Sequence, residues 1–331
     1  MNEVNLAIVG ATGMVGRTFL KVLEERNFPI KNLYLFSSEK SAGKILIFRG
    51  QEYKVEALTE DSFNRDIDIA LFSAGGDVSK KFAPIARDNG VIVVDNSSAW
   101  RMEKDIPLVV PEVNPKDIDW NKGIIANPSC STIQSVVPLV KLHKELKIKR
   151  IVYSTYQAVS GSGVGGIKDL ENGINGEENK KYPHQIAYNC LPHIDEFLDN
   201  GYTKEEMKMI NETKKILNDE DIRITATTVR VPVKYGHSVC INLEFENTFE
   251  MDQIYKLLQE TEGVNIIDDV KNNVYPMPID IEGKDEVYVG RIRRDYSVEN
   301  GINMWVVADN IRKGAATNAV QIAELLIKKL K

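Results

Sequence analysis

Cys130 lies in the run Ile125-Ala126-Asn127-Pro128-Ser129-Cys130-Ser131-Thr132, which reads as a strand end, a turn and the mouth of a helix. A cysteine there meets the unpaired N–H groups and the positive end of the helix, and both favour thiolate over thiol. The thiolate is the form that attacks a carbonyl carbon. Most free cysteines are buried and inert, so it is the position of this one that points to chemistry.

Arg230 stands inside the apolar run Thr228-Val229-Arg230-Val231-Pro232. On a solvated strand face such an arginine is ordinary. Buried, it needs an anion, because an unpaired charge is too costly to keep out of water, and a substrate carboxylate fits its fork. His237 opens the next strand after Lys234-Tyr235-Gly236, so a hairpin is expected to bring it near Arg230. Arg101 follows Asn96-Ser97-Ser98-Ala99-Trp100, just beyond a strand end, where ligand clefts of α/β sheets form. Glu205 and Lys208, three residues apart on an expected helix, share a face; the plain alternative is a surface ion pair. His143, His184 and His193 match no metal or catalytic spacing.

These residues need elements to hold them. Gly10-Ala11-Thr12-Gly13-Met14-Val15-Gly16 follows the apolar strand Val4 to Val9 and opens a helix from Met14 to Arg26. Glycines so placed allow a tight turn and let backbone approach a pyrophosphate at the helix N-terminus. At the end of the second strand, Leu33 to Phe36, the chain reads Ser37-Ser38-Glu39-Lys40-Ser41. NAD-preferring sites place an acid there for the ribose 2′-OH. Hydroxyls with Lys40 suit a 2′-phosphate instead, which favours NADP, although Glu39 would repel that phosphate if turned inward. Ile67 to Phe72, a helix over Lys80 to Asn89, Val91 to Asp95 and Ile124 to Ala126 complete a parallel sheet covered on both faces. Lys149 to Val159, Ile222 to Val233, His237 to Glu246 and Val287 to Tyr296 are longer and β-rich. They indicate a mixed or antiparallel sheet with helices Thr203 to Leu217 and Glu250 to Thr261 over one face. A last helix, Arg312 to Leu330, returns to the first domain.

Composition bounds the partners. At 331 residues with net charge −6, the chain has no basic field for nucleic acid or an anionic membrane surface. No apolar run approaches the roughly 18 residues of a membrane span, and no signal peptide precedes the first strand, so a cytoplasmic protein is expected. Three dispersed cysteines, Cys130, Cys190 and Cys240, form neither a disulfide framework nor a metal site.

With these residues in hand, the chain resembles the aspartate-semialdehyde dehydrogenase family nearly end to end. The resemblance is carried by GATGMVG, SAGG, DNSSAWR, NPSCSTIQ, QAVSGSGVGG (Gln157 to Gly166), EEMKMINETKKIL, RVPVKYGHS and DNIRKGAATNAVQIAE. It implies an α/β protein: a Rossmann-type parallel-sheet domain over residues 1–127, completed by the helix 311–331. Inserted between them, over 128–310, is an α+β catalytic and dimerisation domain with a mixed sheet. It implies Cys130 as nucleophile, His237 as acid/base and Gln157 as the residue that orients substrate. Arg230 becomes the carboxylate clamp, and Arg101 and Lys208, with Glu205, the phosphate-binding group. Gly10, Thr12, Gly13, Met14, Val15, Lys40, Ser41, Ser160, Gly161 and Asn310 fall where the family contacts NADP, though the family often has Arg near Lys40. The implied reaction is NADPH-dependent reductive dephosphorylation of L-aspartyl-4-phosphate to L-aspartate 4-semialdehyde through a cysteine thioester, on the route to lysine, threonine, methionine and diaminopimelate. Inorganic phosphate is the co-product, and a homodimer or dimer of dimers is the expected assembly. Two alternatives stand beside it. N-acetyl-glutamyl-phosphate reductase typically follows its cysteine with a Tyr-Pro-type sequence, where this chain has Ser131-Thr132. A non-catalytic NADP-binding redox sensor should have lost the nucleophile or the base, and this chain keeps Cys130, Gln157, Arg230 and His237.

Overall fold

The computed structural model describes residues 3–329, which divide into two compact units. One comprises residues up to Ser129 together with those from Ala315 onward; the other is Cys130–Gly314.

In the first unit the chain runs β1 (Val4–Val9), α1 (Met14–Glu25), β2 (Ile30–Ser37), β3 (Ile45–Phe48), β4 (Gln51–Lys54), β5 (Glu56–Ala57), β6 (Ile69–Phe72), α2 (Gly76–Asp88), β7 (Ile92–Asp95) and β8 (Ile124–Ala126). Six strands form a parallel sheet in the order β5-β2-β1-β6-β7-β8. Every residue of β1 is buried. Leu6 and Ile8 pack with Phe19 and Leu23 of α1 and with Ala319 and Ala323 of the helix Thr317–Ile327. Ala7 and Val9 face the other way, onto Phe36, Phe72 and Ala83 and Ala86 of α2. Each large apolar side chain so buried contributes about 1.5–3 kcal/mol. Two covered faces therefore require the near-continuous apolar strands read in the sequence.

Two local features differ from expectation. Helix α2 begins at Gly76, four residues before Lys80, because its N-cap Gly75 adopts φ +91° and the Gly75-Gly76 pair hides the start. Pro84 lies within this helix. The hairpin β3–β4 was not foreseen. Its two-residue turn, Arg49-Gly50, has positive φ at both positions, a conformation usually announced by Asn-Gly rather than by arginine.

The second unit contains α3 (Cys130–Val136), α4 (Leu139–Leu146), β9 (Ile148–Gln157), α5 (Val164–Ile174), α6 (Lys204–Leu217), β10 (Arg223–Arg230), β11 (His237–Phe245), α7 (Met251–Gln259), β12 (Val264–Ile266), α8 (Pro278–Ile281), β13 (Val287–Asp295) and β14 (Gly301–Ala308). Its mixed sheet has the order β10-β9-β11-β14-β13-β12. On β11, Val239, Ile241, Leu243 and Phe245 are buried while Cys240, Asn242 and Glu244 are partly exposed, the period-two pattern of a strand with one covered face. Strand β14 was missed by the sequence reading. Helix α6 starts at a capping box in which Thr203 and Glu206 satisfy each other's backbone N–H groups.

The expected hairpin between Arg230 and His237 does not form. Strand β9 lies between them, parallel to β10 and antiparallel to β11, so residues 231–236 cross over its end. Strand β10 is therefore an edge. Its outer side is occupied at the Arg230 end: Arg230 N and O pair with Leu191, and Thr228 N–H donates to Glu206 Oε1 at 3.0 Å. The last helix is also modified. Arg312–Ala316 forms a π-helical turn, with Gly314 N–H reaching back to Asp309 O, before the α-helix Thr317–Ile327; the expected end at Leu330 lies outside the described residues. Among the described residues no helix is long and apolar enough to cross a membrane.

Candidate active site

Helix α3 presents Cys130 as its first residue, as the Asn-Pro-Ser-Cys run predicts. Two side chains of this helix tie it to the sheet. Ser131 Oγ accepts from Gln157 Nε2 at 2.5 Å, and Gln134 Nε2 donates to His237 O at 3.1 Å. Backbone at the π-helical turn closes another side: a β-carbon on Gly314 would lie 2.8 Å from Cys130 Cβ, so only glycine fits against the cysteine.

Ala158, just past the end of β9, organises the next pair. Its N–H donates to His237 Nδ1 at 2.9 Å, and its carbonyl accepts from Arg230 Nη1 at 2.8 Å. The first bond assigns the ring proton of a neutral His237 to Nε2. His237 is fully buried, and burial together with the neighbouring Arg230 charge holds it well below the ordinary histidine value. Among the described residues its Nε2 has no partner, and neither has Arg230 Nε, although Arg230 is only 5% exposed. Gly161 explains how the two crowd together: a β-carbon there would come within 2.8 Å of Arg230 Nη1 and 3.3 Å of His237 Nε2. The connection across β9 thus brings Arg230 and His237 together, by a different route from the one expected.

Gln157 extends the cluster to α6. Its Nε2 also donates to Glu205 Oε1 at 3.1 Å, and its Oε1 accepts from Thr155 Oγ1 at 3.3 Å. Lys208 Nζ contacts Glu205 Oε2 at 3.2 Å and Asp195 Oδ2 at 2.6 Å. Burial pushes the Asp195 carboxyl up, but the hydrogen bond and charge of Lys208 outweigh it, and the group lies below its ordinary value. Glu205 is buried and Lys208 about a quarter exposed, so this is a partly enclosed ion cluster rather than a solvated pair. Asn310 ties Ser160 to the crossing loop, exchanging hydrogen bonds with Ser160 Oγ and accepting from Gly236 N–H.

In the first unit a cavity of about 340 Å³ opens at the carboxyl ends of β1, β2 and β6. Gly10, Thr12, Gly13, Ser37, Ser38, Ser41 and Ser73 line it. Gly10 adopts φ +88°, and any β-carbon there would sit 2.2 Å from Ser73 O. Thr12 and Ser37 hydroxyls bond each other at 2.8 Å. Met14 and Val15 begin α1 without lining the cavity; Lys40 and Glu39 are exposed on a short 3₁₀ turn and do not line it either. Arg101 is buried in this unit, donating to Asn127 O and Asn96 O. Its loop hangs on Asp95, whose Oδ2 accepts from Ser97 Oγ at 2.5 Å. Burial, against its hydrogen bonds to Ser97 and Ser79 and the charge of Arg101, pushes the Asp95 carboxyl up.

Sequence reasoning missed Ser131, Gln134, Asp195 and Asp95, all of which act through neighbours. Only Asp95 had a readable signal, as an acid at a strand end within DNSSAWR. Among the described residues no group of three His, Cys, Asp or Glu side chains is arranged to hold a metal ion.

The chain is similar to known proteins over both units. Residues 5–121 match the family model of the semialdehyde dehydrogenase NAD binding domain, and residues 139–313 that of the semialdehyde dehydrogenase dimerisation domain. The aspartate-semialdehyde dehydrogenase of Aquifex aeolicus is 59% identical over 98% of both chains. The crystal structure of aspartate semialdehyde dehydrogenase II complexed with ASA from Vibrio cholerae superposes with a TM-score of 0.95, at 49% identity over 99% of both chains. That of aspartate semialdehyde dehydrogenase with NADP from Candida albicans gives 0.79, at 27% identity over 98% of both. The chain belongs to the aspartate-semialdehyde dehydrogenase family of oxidoreductases.

Proposed function

We propose that the chain reduces L-aspartyl-4-phosphate to L-aspartate 4-semialdehyde with NADPH, releasing inorganic phosphate, in the cytoplasm, for biosynthesis of the aspartate-family amino acids. The observation that carries this reading is a buried guanidinium with an unpartnered Nε beside a buried imidazole with an unpartnered Nε2. Water stripped from both groups is costly unless a ligand supplies acceptors. A molecule with a carboxylate for Arg230 and an oxygen gaining negative charge near His237 does so.

Cys130 thiolate attacks the acyl phosphate carbon, forming a C–S bond as the C–O bond to phosphate breaks. Arg101 and Lys208 neutralise the departing phosphate. Lys208 already touches two carboxylates, so phosphate must compete with Asp195 for it. Gln157 and Arg230 orient the amino acid end. Gly10, Thr12, Gly13, Met14, Val15, Lys40 and Ser41 of the first unit, with Ser160, Gly161 and Asn310 of the second, are the residues that would hold NADP. The cavity fits the pyrophosphate argument, since Gly10 and Gly13 give it a wall without side chains and Gly10, at φ +88°, turns the chain where a β-carbon would strike Ser73. No carboxylate is among the lining residues, which favours a 2′-phosphate. When bound, the nicotinamide supplies the hydride that reduces the thioester. His237 Nε2–H donates a hydrogen bond to the oxygen as it gains negative charge, and that oxygen then re-forms the C=O bond as the C–S bond breaks, freeing the aldehyde and the Cys130 thiolate. The chain pairs as a homodimer or dimer of dimers, a reading supported by the match to a dimerisation domain.

The test follows near-ultraviolet absorbance of reduced nicotinamide with aspartate semialdehyde, phosphate and either NADP or NAD. A phosphate-dependent rise, larger with NADP, is expected. A larger rise with NAD overturns the cofactor; no rise with either, but one with N-acetyl-glutamate semialdehyde, overturns the substrate.

A further inference from the structure

Ser131 is fully buried beside Cys130 and sits in an unbroken chain of hydrogen bonds whose direction can be worked out. Lys208 Nζ donates to Glu205 Oε2. Glu205 Oε1 accepts from Gln157 Nε2, which fixes the amide: turned over, it would face carboxylate oxygen with its own oxygen. Thr155 Oγ1 reinforces this orientation by donating to Gln157 Oε1. The second N–H of Gln157 is then spent on Ser131 Oγ, at 2.5 Å. Ser131 becomes an acceptor towards Gln157, and its single proton is left for another partner. Cys130 Sγ stands 3.9 Å from Ser131 Oγ, within reach of the long contacts sulfur makes. Gly314 packs closely against Cys130 Cβ, which seats the start of α3 against the π-helical turn.

We propose that Ser131 is a positioning residue that donates its hydroxyl proton to the Cys130 thiolate, its polarity set by Gln157 and, through Gln157, by Glu205. This rests on the reading of Cys130 as nucleophile. It also gives Gln157 a role before substrate arrives, as the group that dictates which way Ser131 points. Substrate that takes an N–H of Gln157 would release Ser131 at the moment when Cys130 must give up its charge.

The test is alkylation of the cofactor-free enzyme by iodoacetamide, followed by peptide mass so that labelling of Cys130 is separated from that of Cys190 and Cys240. Ser131→Ala should raise the midpoint pH of Cys130 labelling by about 0.5–1 unit, slowing it about three- to tenfold at neutral pH. Ser131→Thr, which keeps the hydroxyl, should restore it. The buried ionisable side chains on elements linked to α3 are Glu205, Glu206 and Glu212 on α6, Arg230, His237, Asp309, Arg312 and Lys313; the Ser131 substitutions change none of them. Glu205→Gln gives an independent route should Ser131→Ala not fold. It frees the Gln157 amide to turn and draws the Ser131 proton to the amide oxygen; loss of the carboxylate charge alone would lower the midpoint, so a rise reports the turned amide. An unmoved midpoint in Ser131→Ala, or a threonine variant as slow as alanine, overturns the proposal. An unmoved or lowered midpoint in Glu205→Gln overturns the relay from α6. Failure of the underlying reading looks different: Cys130→Ser would then retain turnover, whatever the labelling shows.

Discussion

The two units build sites from different materials. In the first, the cavity is walled by backbone, glycines and short hydroxyls, and what matters at Gly10 is an absent β-carbon. In the second, the cluster is made of buried polar and charged side chains from α3, β9, α6, β10 and β11, each oriented by the next. A backbone cradle is specified by local spacing and accepts any ligand with the right phosphates. A side-chain cluster is specified by the fold, and small displacements change its chemistry.

That contrast makes unequal demands on substitution. Cys130→Ser should lower turnover by about 10³-fold or more while leaving the cofactor dissociation constant within about twofold, because it removes the covalent route alone. Equal damage to both would mean that the sites are not separable. Arg230→Lys, which loses the planar fork, should lower kcat/KM for aspartate semialdehyde by about 10²-fold with cofactor affinity intact; an unchanged kcat/KM removes the clamp. Gly10→Ala should do the reverse. The strained φ costs about 1–2 kcal/mol before the collision with Ser73 is counted, so cofactor affinity should fall about tenfold, with kcat recovered at saturating cofactor.

The smallest expected effect is a pH effect. His237 is depressed below its ordinary 6.5, so above that pH it is neutral in both folded and unfolded chains and costs nothing. As pH falls below 6.5 the unfolded chain takes up a proton that the folded one refuses, and stability is lost down to the folded value. Melting temperature against pH should therefore slope less steeply in His237→Asn between about pH 6.5 and 5. An identical slope would mean that the imidazole is charged in the native site.

The same contrast explains what could be read from sequence. The parallel sheet and its glycine turn were legible because strand, turn and helix are contiguous, and each leaves a local pattern. Cys130 was legible for the same reason, as a cysteine at a helix start. The pairing of Arg230 with His237 was foreseen, but its mechanism was not: seven residues suggest a hairpin, and nothing local announces that β9, more than seventy residues earlier, will take the place between them. Ser131, Gln134 and Asp195 were invisible because an ordinary serine, glutamine or aspartate gains its role only from a distant partner. Lys40 lies between these cases: its charge stood out in the sequence, and the structure leaves it exposed beside a wall lined by Ser37, Ser38 and Ser41.

The occupied Arg230 end of the β10 edge bears on how the protein behaves at high concentration. An open strand edge is a template onto which another chain can add, and the edge that carries Arg230 would be a costly place for that to happen. At Arg230 and Thr228, Leu191 and Glu206 occupy N–H and C=O groups in advance. Strand addition is thereby refused at that end, so the stretch that bears the guanidinium is protected from self-association without any change to its chemistry.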